Sequence, residues 1–211
     1  MSVTTPGLRI GSLSRAIAAA VALLIAVGLS AYSAGSASAT TSRGFATSLA
    51  PMSVHSDAIV AAAVARLNVM PEVAYTKYRL GLPVEDLVRE RQAEDAFAQA
   101  AVKRGIDDAL ARKVIRDQIV ASKMVQSRLF DEWKLSPPPT RDYHELSTLR
   151  VAIDSATGSL LDGLANALAA GIPADWPSQI GVSVTSHEAR LDPAVGCEPL
   201  VRAVTTLAQL R

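Results

Sequence analysis

Between Asp107 and Leu135 the core-type positions fall into one repeating pattern: Ile115, Ile119, Ser122, Gln126, Leu129 and Trp133 follow each other at alternating four- and three-residue steps. Such steps share a face only on an α-helix, where every third or fourth side chain points the same way. The pattern predicts a helix over residues 108–134 with Asp107 as its N-cap. Aromatic residues make up only 4% of the chain, and no long stretch alternates apolar with polar residues. The chain is therefore read as all-α, a bundle of about four to six helices with a polar pocket among them.

The other helices follow from similar signals. Ser56 and Asp57 are placed to cap a first helix through Ile59, Val60, Val64 and Leu67, which Pro71 then kinks or interrupts. A second helix is expected from near Pro83 to Gly105. A fourth, over about residues 141–170, follows the stiff run Ser136-Pro137-Pro138-Pro139-Thr140 and carries the stripe Leu146, Arg150, Ile153, Thr157, Leu160, Leu164 and Leu168. Gly171 and Pro173 close it, and one short helix near residues 200–210 is expected to end the chain.

The first 39 residues carry Arg9 and Arg15, an apolar run from Ala16 to Leu29, and the small residues Ala37-Ser38-Ala39. This is the pattern of a cleaved export signal, too short to span a bilayer, which predicts a secreted or periplasmic protein with no membrane attachment after cleavage. Residues 40–55 read as a flexible lead-in, 56–170 as the helical domain, and 171–211 as an extension packed on it. The signal holds two of the 21 cations and none of the 20 carboxylates, so the mature chain is close to neutral and is not a nucleic-acid binder. Cys197 is the single cysteine, which excludes an internal disulfide, and a buried free thiol is its expected state. His55, His144 and His187 are far apart and lack ligand spacing, so no metal site is expected.

What remains is a set of polar residues on otherwise apolar helices. Arg66 and Lys77 are eleven positions apart, close to three helical turns; Asp86, Arg89 and Glu90 share one face of the next helix. Ser122, Gln126 and Arg150 interrupt core stripes. Charged residues at helical spacing ordinarily form a solvated face. Ser122 could equally bond back to a carbonyl one turn earlier, with Gln126 at the stripe's edge in water. Arg66, however, continues the core-facing line of Ile59 and Ala63, and an inward guanidinium needs an anion. Four cations, two carboxylates and two neutral hydrogen-bonding groups together read as a pocket for a small polyanion with a hydroxyl, best matched by two carboxylates.

The span from about Ala62 to Asp154 resembles the all-helical (AroQ-class) chorismate mutases, and the export signal places the likeness with their secreted subclass. It rests on R-L-x-V with Lys77 eleven residues after Arg66, L-P-V-E-D-x-x-R-E at Leu82–Glu90, D-Q-I-x-x-S-x-x-x-Q at Asp117–Gln126, F-x-E-W-K-L at Phe130–Leu135 and R-x-A-I-D-S at Arg150–Ser155. The resemblance implies a Claisen rearrangement of chorismate to prephenate, without a cofactor, in a homodimer. It further implies that Arg66 and Arg150 bind the carboxylates with help from Arg89 and Ser122. Lys77 and Gln126 would then donate to the ether oxygen, and Glu90 with Asp86 would hold the ring hydroxyl. Two departures stand out. Some exported members have a carboxylic acid where Gln126 stands, and secreted members pin their C-terminal extension with a disulfide that Cys197 alone cannot form. The alternative reading is a secreted helical protein that captures an anionic metabolite or a partner protein without turning it over.

Overall fold

The computed structural model describes residues 50–211, with side chains from residue 54 onward; the expected signal peptide and most of the expected lead-in lie outside the described residues. Among the described residues there are seven α-helices: α1 (Ala50–Asn68), α2 (Met70–Leu80), α3 (Leu87–Val102), α4 (Asp108–Leu135), α5 (Leu146–Ala170), α6 (Trp176–His187) and α7 (Cys197–Ala203). Single 3-10 turns follow at Glu188–Arg190 and Leu207–Gln209, and no strand occurs among the described residues. The all-α expectation holds.

Helices α1 and α2 are two limbs of one kinked rod. Val69 keeps right-handed helical angles between them, and Pro71 sits in the first turn of α2, where its missing N–H leaves no bond unmade. Gly81 ends the rod in the left-handed region at φ 64°, and the N–H of Leu82 closes back on the Lys77 carbonyl at 2.9 Å. A side chain at Gly81 would strain that turn. Asp86 then caps α3, its carboxylate accepting from the Arg89 N–H at 3.0 Å, while Glu90 reaches back to the Asp86 N–H at 3.3 Å. Asp107 caps α4 as its position predicts, accepting from the Leu110 N–H at 2.8 Å.

The core is continuous from the bundle into the C-terminal extension. Helix α1 lies tightly on α5: a Cβ placed on Gly163 would lie 3.0 Å from Ile59 Cγ1, so a larger residue there would require Ile59 to shift. Trp176 opens α6 fully buried, and its ring N–H donates to the Leu207 carbonyl at 2.7 Å. Fully buried Gln118 donates to the Ala203 carbonyl at 2.8 Å, and Asp117 accepts from both Arg202 and the Thr206 N–H. Packing and buried hydrogen bonds hold the extension where a disulfide cannot.

Five expectations need correction. Helix α3 begins at Leu87 and not near Pro83, so Asp86 stands outside it as its cap. Helix α1 begins at Ala50, so residues 50–55 are helical and Ser56 lies inside the helix. Helix α5 begins at Leu146 and not near 141, because the preceding strap is stitched to α2. There the Tyr75 hydroxyl bonds the backbone of Pro139 and Arg141, and Thr76 donates to the His144 carbonyl. The extension holds α6 and α7 in place of one short helix near 200–210. Cys197 is exposed at the start of α7, its thiol 3.1 Å from Glu188 Oε1.

Candidate active site

The kinked rod turns Arg66 and Lys77 to the same side. There they meet a cavity of about 470 Å³ walled by α1 to α5 and the loop after α2. Asp86, Arg89, Glu90, Ser122, Gln126 and Arg150 line it as well, so all eight residues singled out in the sequence meet at one space. Val73, Phe97, Ile115, Ile119, Leu149 and Ile153 supply apolar wall. The volume falls in the range of small-ligand sites.

Arg66 is the deepest cation, 7% exposed. One Nη1–H donates to Thr157 Oγ1 at 2.8 Å, and that hydroxyl donates onward to the Ile153 carbonyl at 2.7 Å. Its Nε is buried without a partner. Burial pushes the guanidinium down to about 10, and the negative charge of Asp154 offsets part of that. A cation this dry and this poorly matched is a ready anion site.

Lys77, half-buried, donates from Nζ to the Val84 carbonyl at 2.7 Å, which leaves two of its three protons for a guest. Burial lowers its pKa; Asp86 and Glu90 counter that, whereas Arg150 and Lys123 add to it. Arg89 is exposed at the cavity edge, one Nη1–H 3.4 Å from Gln92 Oε1. Arg150 also lines the cavity but is exposed, contrary to the core position its stripe suggests, whereas its neighbour Leu149 is buried in the core.

Ser122 and Gln126 are both 5% exposed. The serine does bond back one turn, to the Gln118 carbonyl at 2.7 Å. Gln126 is not at a wetted edge: its amide donates to the Ser122 carbonyl at 3.1 Å and contacts Met70 Sδ at 3.6 Å, and its Oε1 is buried and unpartnered. The two carboxylates are already engaged. Asp86 serves as a helix cap, and Glu90 is paired with Lys123 at 2.9 Å. With Glu90 neutralised, the cavity presents an excess of positive charge, and no cluster that could hold a metal ion occurs among the described residues.

Three residues at the site, Thr157, Lys123 and Asp154, are not among the eight that the sequence singles out. Thr157 was visible as a polar position on the α5 stripe, one turn after Ile153. Lys123 and Asp154 lie beside stripe positions, and nothing local distinguishes them from solvated charges.

No family model matches this sequence. It is 37% identical over 106 residues to the secreted chorismate mutase of Mycobacterium tuberculosis, an alignment covering 49% of this chain and 52% of that protein. It is 33% identical over 108 residues to the secreted chorismate mutase of Mycolicibacterium smegmatis, covering 51% and 60%. The chain thus aligns with little more than half the length of these curated relatives. The crystal structure of chorismate mutase from Burkholderia thailandensis superposes with a TM-score of 0.68 at 30% identity, over 73% of this chain and 99% of that one. The chain belongs to the chorismate mutase family. The motifs that carry the resemblance lie on α1 to α5 and on the loop between α2 and α3, the elements that wall the cavity.

Proposed function

We propose that the protein catalyses the Claisen rearrangement of chorismate to prephenate and that the cavity is where it does so. The buried Arg66 guanidinium, without a carboxylate partner and facing the same space as Lys77, carries this reading. Chorismate brings two carboxylates, a ring hydroxyl and an ether bridge, one group for each feature of the lining. Arg66 and Arg150 take the carboxylates, with Arg89 and Ser122 assisting in their placement. Glu90 and the Asp86 turn receive the ring hydroxyl. The ammonium of Lys77 donates to the ether oxygen, joined by the amide of Gln126 once an N–H turns from the Ser122 carbonyl or Met70 Sδ toward the cavity.

In the reaction the ether C–O bond breaks as a C–C bond forms, within one molecule and without cofactor or nucleophile. The protein has two tasks. It clamps the flexible side chain of the substrate over the ring, which removes rotational freedom from the barrier. It also holds Lys77 beside the ether oxygen, where negative charge grows as the bond stretches, so the ammonium favours the transition state over the ground state. The Val84 carbonyl pins the ammonium beforehand, so little reorganisation accompanies the reaction.

The secreted relatives and the N-terminal pattern of residues 1–39 support export, and the family resemblance supports a homodimer. Mixing the purified mature chain with chorismate and following its ultraviolet absorbance tests the proposal. Loss of absorbance with the wild type, and its near absence with Lys77→Ala, is the expected result. Chorismate that binds yet persists indefinitely would establish a binding protein in its place.

A further inference from the structure

Lys123 sits one position after Ser122 on α4 and lines the cavity, yet two of the three protons of its ammonium are engaged by carboxylates. It lies 2.9 Å from Glu90 Oε2 and 3.2 Å from Glu85 Oε1, bridging α4 to the first turn of α3 and to the loop before it. Hydrogen bonding to Glu90 foremost holds the ammonium above its ordinary value, partly countered by burial and helped by Glu85. The other Glu90 oxygen accepts from the Asp86 N–H at 3.3 Å. Both oxygens of Glu90 are thereby fixed: one by the helix cap, one by a residue of another helix, 33 positions away.

We propose that Lys123 is a positioning residue of this site, acting through Glu90. Its ammonium cancels the carboxylate charge that would otherwise repel a dianion. It also aims the remaining lone pairs of Glu90 into the cavity, where the ring hydroxyl of the substrate can donate to them. The idea rests on the mutase reading for its substrate, but the geometry behind it is that of the Lys123–Glu90 pair alone. A side chain at 28% exposure facing a carboxylate at 21% is shielded enough for the pairing to hold orientation as well as charge.

Glu85, at 62% exposure, is the weaker partner, because water competes for its carboxylate. It steadies the loop that carries the Val84 carbonyl and does not enter the cavity lining.

A double-mutant cycle of Lys123→Met and Glu90→Gln decides the matter, read as kcat/KM for chorismate and as its Kd by calorimetry. Each single change is expected to lower kcat/KM about tenfold, with the pair together losing no more than either alone, and Lys123→Arg is expected to restore most of the loss. Multiplicative losses of about a hundredfold in the double variant, or Lys123→Met within about twofold of wild type, overturn the proposal. So does a fall in melting temperature that tracks the activity loss equally in both backgrounds, which would mark Lys123 as merely structural. If the wild type binds chorismate without converting it, the mutase reading alone fails and the same cycle in Kd still decides on Lys123. If it neither binds nor converts chorismate, both ideas fall.

Discussion

Arg66 and Thr157 meet across 91 positions of sequence, the guanidinium donating to the threonine hydroxyl at 2.8 Å inside the bundle. The hydroxyl is a neutral acceptor, already committed to the Ile153 carbonyl, and it cannot offset the charge. The site therefore holds a buried cation that is oriented but, with only the nearby charge of Asp154 to offset it, incompletely neutralised, a state that favours an anionic guest.

Replacing Arg66 by Met should separate stability from activity. The apolar stem still fills the space, and a charge that Asp154 offsets only in part is gone, so the melting temperature of the ligand-free protein is expected to stay level or rise. Turnover of chorismate should fall about a hundredfold or more, roughly 3 kcal/mol for a charged hydrogen-bonded contact. A variant that melts well below wild type, or that retains activity, contradicts this account of Arg66.

The pH profile follows from Lys77 and Gln126. Gln126 has no ionisable group, so on its account kcat should not fall as pH rises from about 5 to 8, as it would with a carboxylic acid in its place. Above that range activity should fall before the ordinary lysine value is reached, because burial lowers the pKa of Lys77 and the working form is the ammonium. The sign for stability is opposite. A lysine whose folded pKa is depressed opposes folding while charged, and that penalty fades as pH rises from the depressed value toward 10.5. Lys77 thus contributes an alkaline loss of rate without a loss of fold, which circular dichroism alongside the assay will show. Gln126→Glu should replace the plateau with a rate that declines as pH climbs through the carboxyl pKa, since only the protonated acid can donate.

Trp176 tests how firmly the extension is attached. Its ring is fully buried and its N–H bonded to Leu207, so Trp176→Ala should cost about 3–5 kcal/mol in a urea titration. A loss under about 1 kcal/mol would mean that α6 contributes little to the core.

Cys197 should react with a thiol reagent in the folded protein, one equivalent per chain. The hydrogen bond to Glu188, with smaller contributions from burial and charge, holds its pKa above the usual thiol value, so labelling should be slow near neutrality and quicken with pH. Glu188→Gln should speed it at neutral pH. Labelling that requires denaturant would place the thiol inside the fold.

Much of the bundle was legible because helix signals are local. The four- and three-residue steps of α4, its cap at Asp107 and the left-handed glycines at 105 and 171 all depend on neighbours within a turn or two. Helix α6 escaped because Gly181 and the small polar residues of its sequence give it no clear stripe; its place is decided by the burial of Trp176 against Leu207. The strap before α5 departs from its local helical signal for a related reason. Residues 141–145 carry no breaker, and contacts to Tyr75 and Thr76 hold them out of the helix.

The candidate site divides along the same line. Sequence alone determined which residues are charged, which of them share a helical face, and that cations outnumber the carboxylates able to answer them. Only the tertiary structure decided that Glu90 is taken by Lys123, that Arg150 stands at an exposed edge, and that Arg66 is left with a hydroxyl for company. Periodicity is a property of one helix, whereas a charge is neutralised by whatever another helix brings to within hydrogen-bonding distance, and that depends on how the helices cross.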